Sequence, residues 1–300
     1  MKLSLPFPPP VTAEVDVGRI EGAGKVLLDL RYAASSPDHR LDIFLPETGD
    51  RPYPVVIYLH EGAFAFGSKR DTRIKSTLPV VKEGWALATV EYRKSAETTW
   101  PGQIYDVKAA VRYLRAHADE YGLDSRKFAV WGVSAGGYLG SMLGVTGGQS
   151  AFEDPNMGNP DVSSAVQAVI DWFGCCGGVH RMDEELRESG LGRPSHNAEN
   201  SPESIMMGNA LEDIPELCRL AEPGAHVHKD MPPFLIQHGS KDPVTPVRQS
   251  VDFARAIARA AGPERVKLVV YNADHDSNAL YEMPEATREA IEFLRTVFRS

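Results

Sequence analysis

Ser134 stands in the run VWGVSAGGY (130–138), with Gly132 two residues before it and Gly136 two residues after. A serine hydroxyl is a weak nucleophile until a base takes its proton and a third group orients that base. A sharp strand-to-helix turn can hold such a hydroxyl clear of the backbone, and that turn needs small residues where the chain doubles back. Small residues would also suit a plain crossover with no chemistry. The flanks favour the first reading. KFAVWG (127–132) reads as a buried strand and AGGYLGSMLG (135–144) as a small-residue helix, which is the setting a nucleophile elbow requires.

Where a serine uses such an elbow, the acid and the base follow later in the chain, each in a loop after a strand. PFLIQHG (233–239) is followed by SKDPV, which offers Asp242, and VKLVVYN (266–272) by ADHDSN, which offers His275. The rivals read differently. His238 ends a strand four residues before Asp242 and is expected to be a buried, hydrogen-bonded structural histidine. Asp274 and Asp276 flank His275 and are expected to shape its loop; Asp171, at the end of another strand, is an alternative acid. His226 and His228 form an isolated HVH. No cluster has ligand spacing, so neither a metal nor another cofactor is expected.

A tetrahedral intermediate needs N–H donors aimed at its oxyanion. Ala135, the residue after the nucleophile, supplies one. Gly62 and Ala63, in HEGAF (60–64) after the strand PVVIYLH, supply the others unless this is an ordinary glycine turn. Glu61 and Phe64 of the same loop, with Trp172 at the end of AVQAVIDWF (165–173), are the candidate substrate-binding residues. Glu61 is expected either to point into solvent or to border the acyl pocket.

Alternating elements must hold these loops. LDIFLP (41–46) alternates and reads as an early, half-exposed strand, while PVVIYLH, WALATVEY (85–92), KFAVWG, AVQAVIDWF, PFLIQHG and VKLVVYN read as strands covered on both faces. Between them, Ile104, Val107, Val111, Leu114 and Ala118 repeat at helical spacing with a stop at Gly122; Val247, Val251, Ala254, Ala258 and Ala261 do so before Gly262. A last helix starts near Pro284 and buries Ala290, Ile291, Leu294 and Val297. The pattern predicts an α/β fold with a mostly parallel central sheet flanked by helices. The chain, 1–300, reads as a single domain, with a proline-rich extended arm at 1–12 and irregular stretches at 146–164 and 174–231. The second is long enough to be a lid or substrate-pocket wall.

Three hundred residues with 42% apolar content can bury one large core. The net charge of −9, with no basic tract, argues against nucleic acid and anionic membrane as partners. No apolar run approaches the roughly 20 residues of a membrane span. Cys175, Cys176 and Cys218 are an odd set, and the first residues lack a secretory pattern, so reduced thiols in a cytoplasm are expected; a chain trimmed of a signal would read the same. The oligomeric state stays open, a homo-oligomer included.

HEGAFAFGSK, WPGQIYDVKAAVRYLRAHADEYGLD, VWGVSAGGYLG, AVQAVIDWFG and PPFLIQHGSKDPVTPVRQS occur in that order over most of the chain from about residue 38. Together they resemble the bifunctional feruloyl/acetyl-xylan esterase-like family, a branch of the α/β-hydrolases close to the hormone-sensitive-lipase-like esterases. The resemblance implies Ser134 as nucleophile, Asp242 as acid, His275 as base, and Gly62, Ala63 and Ala135 as oxyanion hole. It also implies a serine carboxylesterase acting on short-chain or carbohydrate-linked esters, with an arylformamidase-type hydrolase or a catalytically silent binding protein as alternatives. Two departures bear on the pocket: the family usually has His-Gly-Gly-Gly-Trp where this chain has HEGAF, and Pro-Thr-Asp where it has CCGG.

Overall fold

A computed structural model describes residues 13–276 and 279–299; the arm at 1–12 lies outside the described residues. Eight strands form one sheet: β1 (Ala23–Arg31), β2 (Arg40–Pro46), β3 (Tyr53–Leu59), β4 (Ala86–Val90), β5 (Leu123–Val133), β6 (Ala168–Trp172), β7 (Phe234–Gly239) and β8 (Val266–Tyr271). Their spatial order is β1-β2-β4-β3-β5-β6-β7-β8. The pairs β1–β2 and β2–β4 are antiparallel and the rest parallel, which gives the mostly parallel α/β sheet expected.

The continuous apolar runs divide by parity. Val55, Ile57 and Leu59 face one core with the helices Gly102–Ala116, Ala135–Val145 and Val247–Ala261; Val56 and Tyr58 face a second core with the helix Pro284–Arg299. A strand buried on both faces cannot show the polar alternation of a half-exposed one. Gly122 ends its helical stretch with φ 71°, as expected of a left-handed stop.

Four expectations are corrected. β2 is not half-exposed: only Arg40 is, and Asp42 is buried because it accepts from Arg70 Nε (2.6 Å) and Nη2 (2.9 Å) and from Lys69 Nζ (3.1 Å). A paired charge mimicked a solvent-facing position. β8 is the sheet edge, with Val270 46% exposed. The helix Val247–Ala261 buries Gln249, Ser250, Phe253, Ala254 and Ile257; of the expected face only Ala254 is fully buried, and Val247, Val251, Ala258 and Ala261 are half-buried. Its buried polar pair is satisfied, Gln249 Oε1 by Gly177 N and Ser250 Oγ by His238 Nδ1. Along the last helix Phe298 is buried and Val297 only half-buried.

β1 has no counterpart in the sequence expectations. Gly24, Lys25 and Asp29 interrupt its apolar pattern, its register shifts between Leu27 and Leu30, and Asp29 has φ 55°. An edge strand broken by bulges loses the period that would announce it. The stretch 174–231 holds three short helices, Met182–Ser189, Pro202–Met207 and Pro215–Leu220. Cys175, Cys176 and Cys218 are unbridged and buried. Among the described residues no helix is long and apolar enough to cross a membrane.

Candidate active site

The loops that follow β3, β5, β7 and β8 lie at one end of the sheet and bring the predicted triad together. Ser134 sits between β5 and the helix Ala135–Val145 with φ 52° and ψ −115°, a strained conformation for a residue with a Cβ. Two glycines make that conformation accessible. A Cβ on Gly132 would lie 2.0 Å from the Gly136 carbonyl oxygen, and one on Gly136 would lie 2.1 Å from that of Leu59. The turn is pinned from behind by Ser134 N donating to Trp172 O at 2.8 Å.

His275 Nε2 lies 3.2 Å from Ser134 Oγ, and His275 Nδ1 lies 2.7 Å from Asp242 Oδ2. Asp242 Oδ1 accepts from Val244 N and Thr245 N, each at 2.8 Å, so the carboxylate is fixed before it meets the imidazole. Burial pushes the Asp242 carboxyl up, but the facing His275 and His238 outweigh it and hold it well below the usual carboxylate range. Asp242 therefore stays ionised through neutral and mildly acidic pH and keeps the His275 proton on Nδ1. The acid and base loops are tied together by Lys241 N donating to Ala273 O at 2.9 Å.

The rivals resolve. His238 is buried, with Nδ1 2.7 Å from Ser250 Oγ and Nε2 2.8 Å from Thr245 O, the structural histidine expected. Asp171 is buried beneath the elbow, accepting from Gly174 N at 2.9 Å and from Cys176 Sγ at 3.2 Å, and is committed there. Asp276 N donates to Asp274 Oδ1 within the His275 loop. His226 Nε2 donates to Leu220 O at 2.7 Å while its ring packs on Phe152. Among the described residues no group of three or more His, Cys, Asp or Glu is placed to hold a metal.

A second serine–histidine–carboxylate chain, invisible in the sequence order, links Ser35 Oγ to His39 Nδ1 (3.3 Å) and His39 Nε2 to Asp106 Oδ1 (3.1 Å). Arg93 also donates to Asp106 from Nε and Nη2. This spends the carboxylate, and Ser35 lies on no cleft around Ser134.

That cleft, of about 870 Å³, is lined by Gly62, Ala63, Phe66, Arg73, Val244 and Tyr281 with Glu61, Ser134 and His275 among their neighbours. A larger groove, about 1550 Å³, opens at the opposite end of the sheet and holds none of the triad. Ala135 is the first residue of its helix, so its N–H has no partner within the helix. Gly62 (φ 124°) and Ala63 (φ 48°) turn the loop back on itself, with Ala65 N and Phe66 N both donating to Gly62 O. His60 fixes the next peptide upstream: its Nδ1 donates to Glu61 O at 2.6 Å, while Nε2 lies 3.0 Å from Glu91 Oε1. In a trans peptide the N–H points opposite to the C=O, so anchoring the Glu61 carbonyl sets the direction of Gly62 N–H. His60→Ala is expected to lower kcat about tenfold or more with little change in KM, since it frees the Gly62 peptide, the expected oxyanion donor, and removes no residue that lines the cleft. Steady-state kinetics on a small acetate ester checks this, and a change confined to KM would refute it.

Of the three expected substrate contacts, two fall elsewhere. Trp172 is fully buried, its Nε1 donating to Gln237 Oε1 at 2.6 Å and its ring edge-on to Trp131. It serves the elbow through its carbonyl. Phe64 is buried edge-on against Tyr138, and its carbonyl accepts from Ser95 N and Oγ. Glu61 does border the cleft but does not point to solvent: its side chain is 8% exposed and ion-paired with Arg73. Phe66, Arg73 and Tyr281, absent from the candidates, face the cleft instead. No residue of 174–231 lines it. That stretch meets the acid loop from behind, where a Cβ on Gly192 would lie 2.2 Å from Pro243 O.

An eight-stranded, mostly parallel sheet carrying a serine elbow, then a carboxylate and then a histidine along the chain defines an α/β-hydrolase. The BD-FAE family model matches residues 41–257, and the chain belongs to that family. Among curated relatives it is 31% identical over 257 residues to esterase LipQ of Mycobacterium tuberculosis (82% of this chain, 56% of LipQ). It is 32% identical over 214 residues to esterase LipC of the same organism (70% and 50%). The chain thus spans about half the length of the curated relatives it matches. A truncated form of a carbohydrate esterase from gut microbiota superposes with a TM-score of 0.83 at 27% identity, covering 93% of this chain and 98% of that one. Thermogutta terrifontis esterase 2 shares the fold, with a TM-score of 0.68 at 22% identity, covering 93% of this chain and 96% of that one.

Proposed function

We propose that the chain is a serine carboxylesterase that works through an acyl-enzyme, with short-chain or carbohydrate-linked esters as substrates. The observation that carries this is the unbroken relay from Ser134 Oγ through the His275 ring to Asp242, with Ser134 held on a strained elbow. His275 Nε2 takes the Ser134 proton as Oγ attacks the ester carbonyl, and the imidazolium is stabilised by Asp242. The N–H groups of Gly62, Ala63 and Ala135 serve in this reading as the donors that receive the oxyanion. His275 then returns the proton to the departing alcohol, and water, deprotonated by the same nitrogen, releases the acid. The carbohydrate preference is supported by the likeness to the gut carbohydrate esterase and by the polar side chains of Arg73, Tyr281 and Asp276 that line the cleft.

The test combines a labelling experiment and a substrate panel. A fluorophosphonate should label one serine per chain, Ser134, and not Ser35. Acetylated xylan, methyl ferulate, p-nitrophenyl acetate and N-formylkynurenine then separate the activities. Hydrolysis of the esters with N-formylkynurenine spared is the expected result. Turnover of the formamide alone would make the chain an arylformamidase-type hydrolase, and failure to label would make it a silent binding protein.

A further inference from the structure

Glu61 is a residue without an obvious task. It occupies the position before Gly62, where a carboxylate faces a developing negative charge and should oppose it. Its side chain is 8% exposed, and its Oε2 is buried with no hydrogen-bond partner among the described residues. Burying a lone charge there would be costly, and the partner that answers it is Arg73, whose Nη1 donates to Glu61 Oε1. Arg73 is itself held in place. Asp71 Oδ1 accepts from Arg73 N at 3.0 Å and caps the turn Thr72–Ser76. The guanidinium lies over the Tyr281 ring (5.0 Å), and Nη2 is 3.4 Å from both Tyr281 Oη and Asp276 Oδ1. One side chain thus bridges the oxyanion loop and the residue next to His275.

The two halves of the pair differ in what a substrate meets. Glu61 is buried, whereas Arg73 is 27% exposed on the cleft that holds Ser134. Asp276 and Glu282 add further acidic charge at the rim, against Lys75.

Resting on the esterase reading above, we propose that Arg73 is a specificity-determining residue of this cleft: it cancels the Glu61 carboxylate beside the oxyanion hole and makes the acyl site suited to neutral esters. Without Arg73, the uncompensated carboxylate opposes both the oxyanion and any anionic substrate. Without Glu61, the released guanidinium attracts anionic substrates. The two losses therefore act in opposite directions on charge preference, which damage to the loop as a whole would not do.

The experiment measures kcat/KM for p-nitrophenyl hemisuccinate and p-nitrophenyl acetate and takes their ratio in each variant. Glu61→Gln is expected to raise the hemisuccinate-to-acetate ratio about fivefold or more, and Arg73→Met to lower it by a similar factor. Arg73→Met should also lower kcat on the acetate about tenfold or more, and adding Glu61→Gln should restore it to within about threefold of wild type. Arg73→Lys keeps the charge and should hold the ratio within about twofold of wild type; with Glu61→Gln it decides the question if Arg73→Met does not fold. A ratio that moves the same way in both single variants, or a double variant no better than Arg73→Met, overturns the proposal. Wild-type protein that hydrolyses neither ester overturns the esterase reading itself, whereas hydrolysis of both with an unmoved ratio overturns only the role of Arg73.

Discussion

Ser134→Ala is expected to lower kcat for ester hydrolysis by about 10⁴-fold or more, His275→Ala by a similar factor, and the double variant hardly further. The reason lies in the geometry: Ser134 Oγ reaches one base, His275 Nε2 at 3.2 Å, and His275 has Asp242 fixed behind it at 2.7 Å. Removing either end of a relay that acts as one unit removes its whole contribution, so the losses cannot add. His238 offers no substitute, although its Nε2 lies 3.4 Å from Asp242 Oδ2, because both its nitrogens are engaged in the core. Folding should survive, since alanine at 134 keeps the backbone turn and deletes only a hydroxyl. Melting temperatures within a few degrees of wild type, alongside the activity loss, would separate chemistry from stability. Ser134→Ala that retained a tenth of the activity would show that another nucleophile carries the reaction.

The parts of this site legible in the sequence are those whose neighbours in the chain announce them. Gly132 and Gly136 bracket Ser134, and continuous apolar runs precede Asp242 and His275, so strand–loop logic locates all three. Arg73, Phe66 and Tyr281 carry no such signal. Arg73 sits in a short turn after an irregular stretch, and its partners are 12 positions before it and more than 200 after it in the chain. Trp172 and Phe64 misled for the converse reason. They are large aromatic residues adjacent to functional backbone, and adjacency in sequence does not say which way a side chain points. At Trp172 the carbonyl serves the elbow while the ring fills the core. Glu61 is ambiguous in the sequence because nothing near it in the chain announces Arg73, the cation that lets a carboxylate border the cleft while buried and paired. In the same way, β2 looked half-exposed because Asp42 alternates with Ile43 and Leu41, and only Arg70 and Lys69, brought by a distant loop, explain its burial.

The oxyanion loop offers the second large effect, through one missing methyl group. Gly62 has φ 124°, a backbone conformation that residues with a Cβ rarely adopt. A Cβ there would also lie 2.2 Å from Phe66 O and 2.6 Å from Phe66 C, which are backbone atoms and cannot swing aside as a flexible side chain would. The turn has little freedom to yield, because Ala65 N (2.9 Å) and Phe66 N (3.0 Å) both donate to Gly62 O, while the preceding carbonyl of Glu61 is held by His60. Relief must come from rotating the peptides on either side of Gly62, and those carry the N–H groups of Gly62 and Ala63, the two proposed oxyanion donors on this loop, both of which line the cleft. Gly62→Ala is therefore expected to lower kcat about 10²-fold or more, comparable to deleting one oxyanion-hole donor, with a much smaller change in KM for a small acetate. Gly62 itself lies at the end of the sheet and belongs to neither apolar core, so the melting temperature should fall by only a few degrees. Fluorophosphonate labelling of Ser134 should slow with kcat, since it builds charge on an oxygen in the same hole. A variant whose kcat stays within about threefold of wild type would place the oxyanion donors elsewhere and leave Gly62 as an ordinary turn glycine.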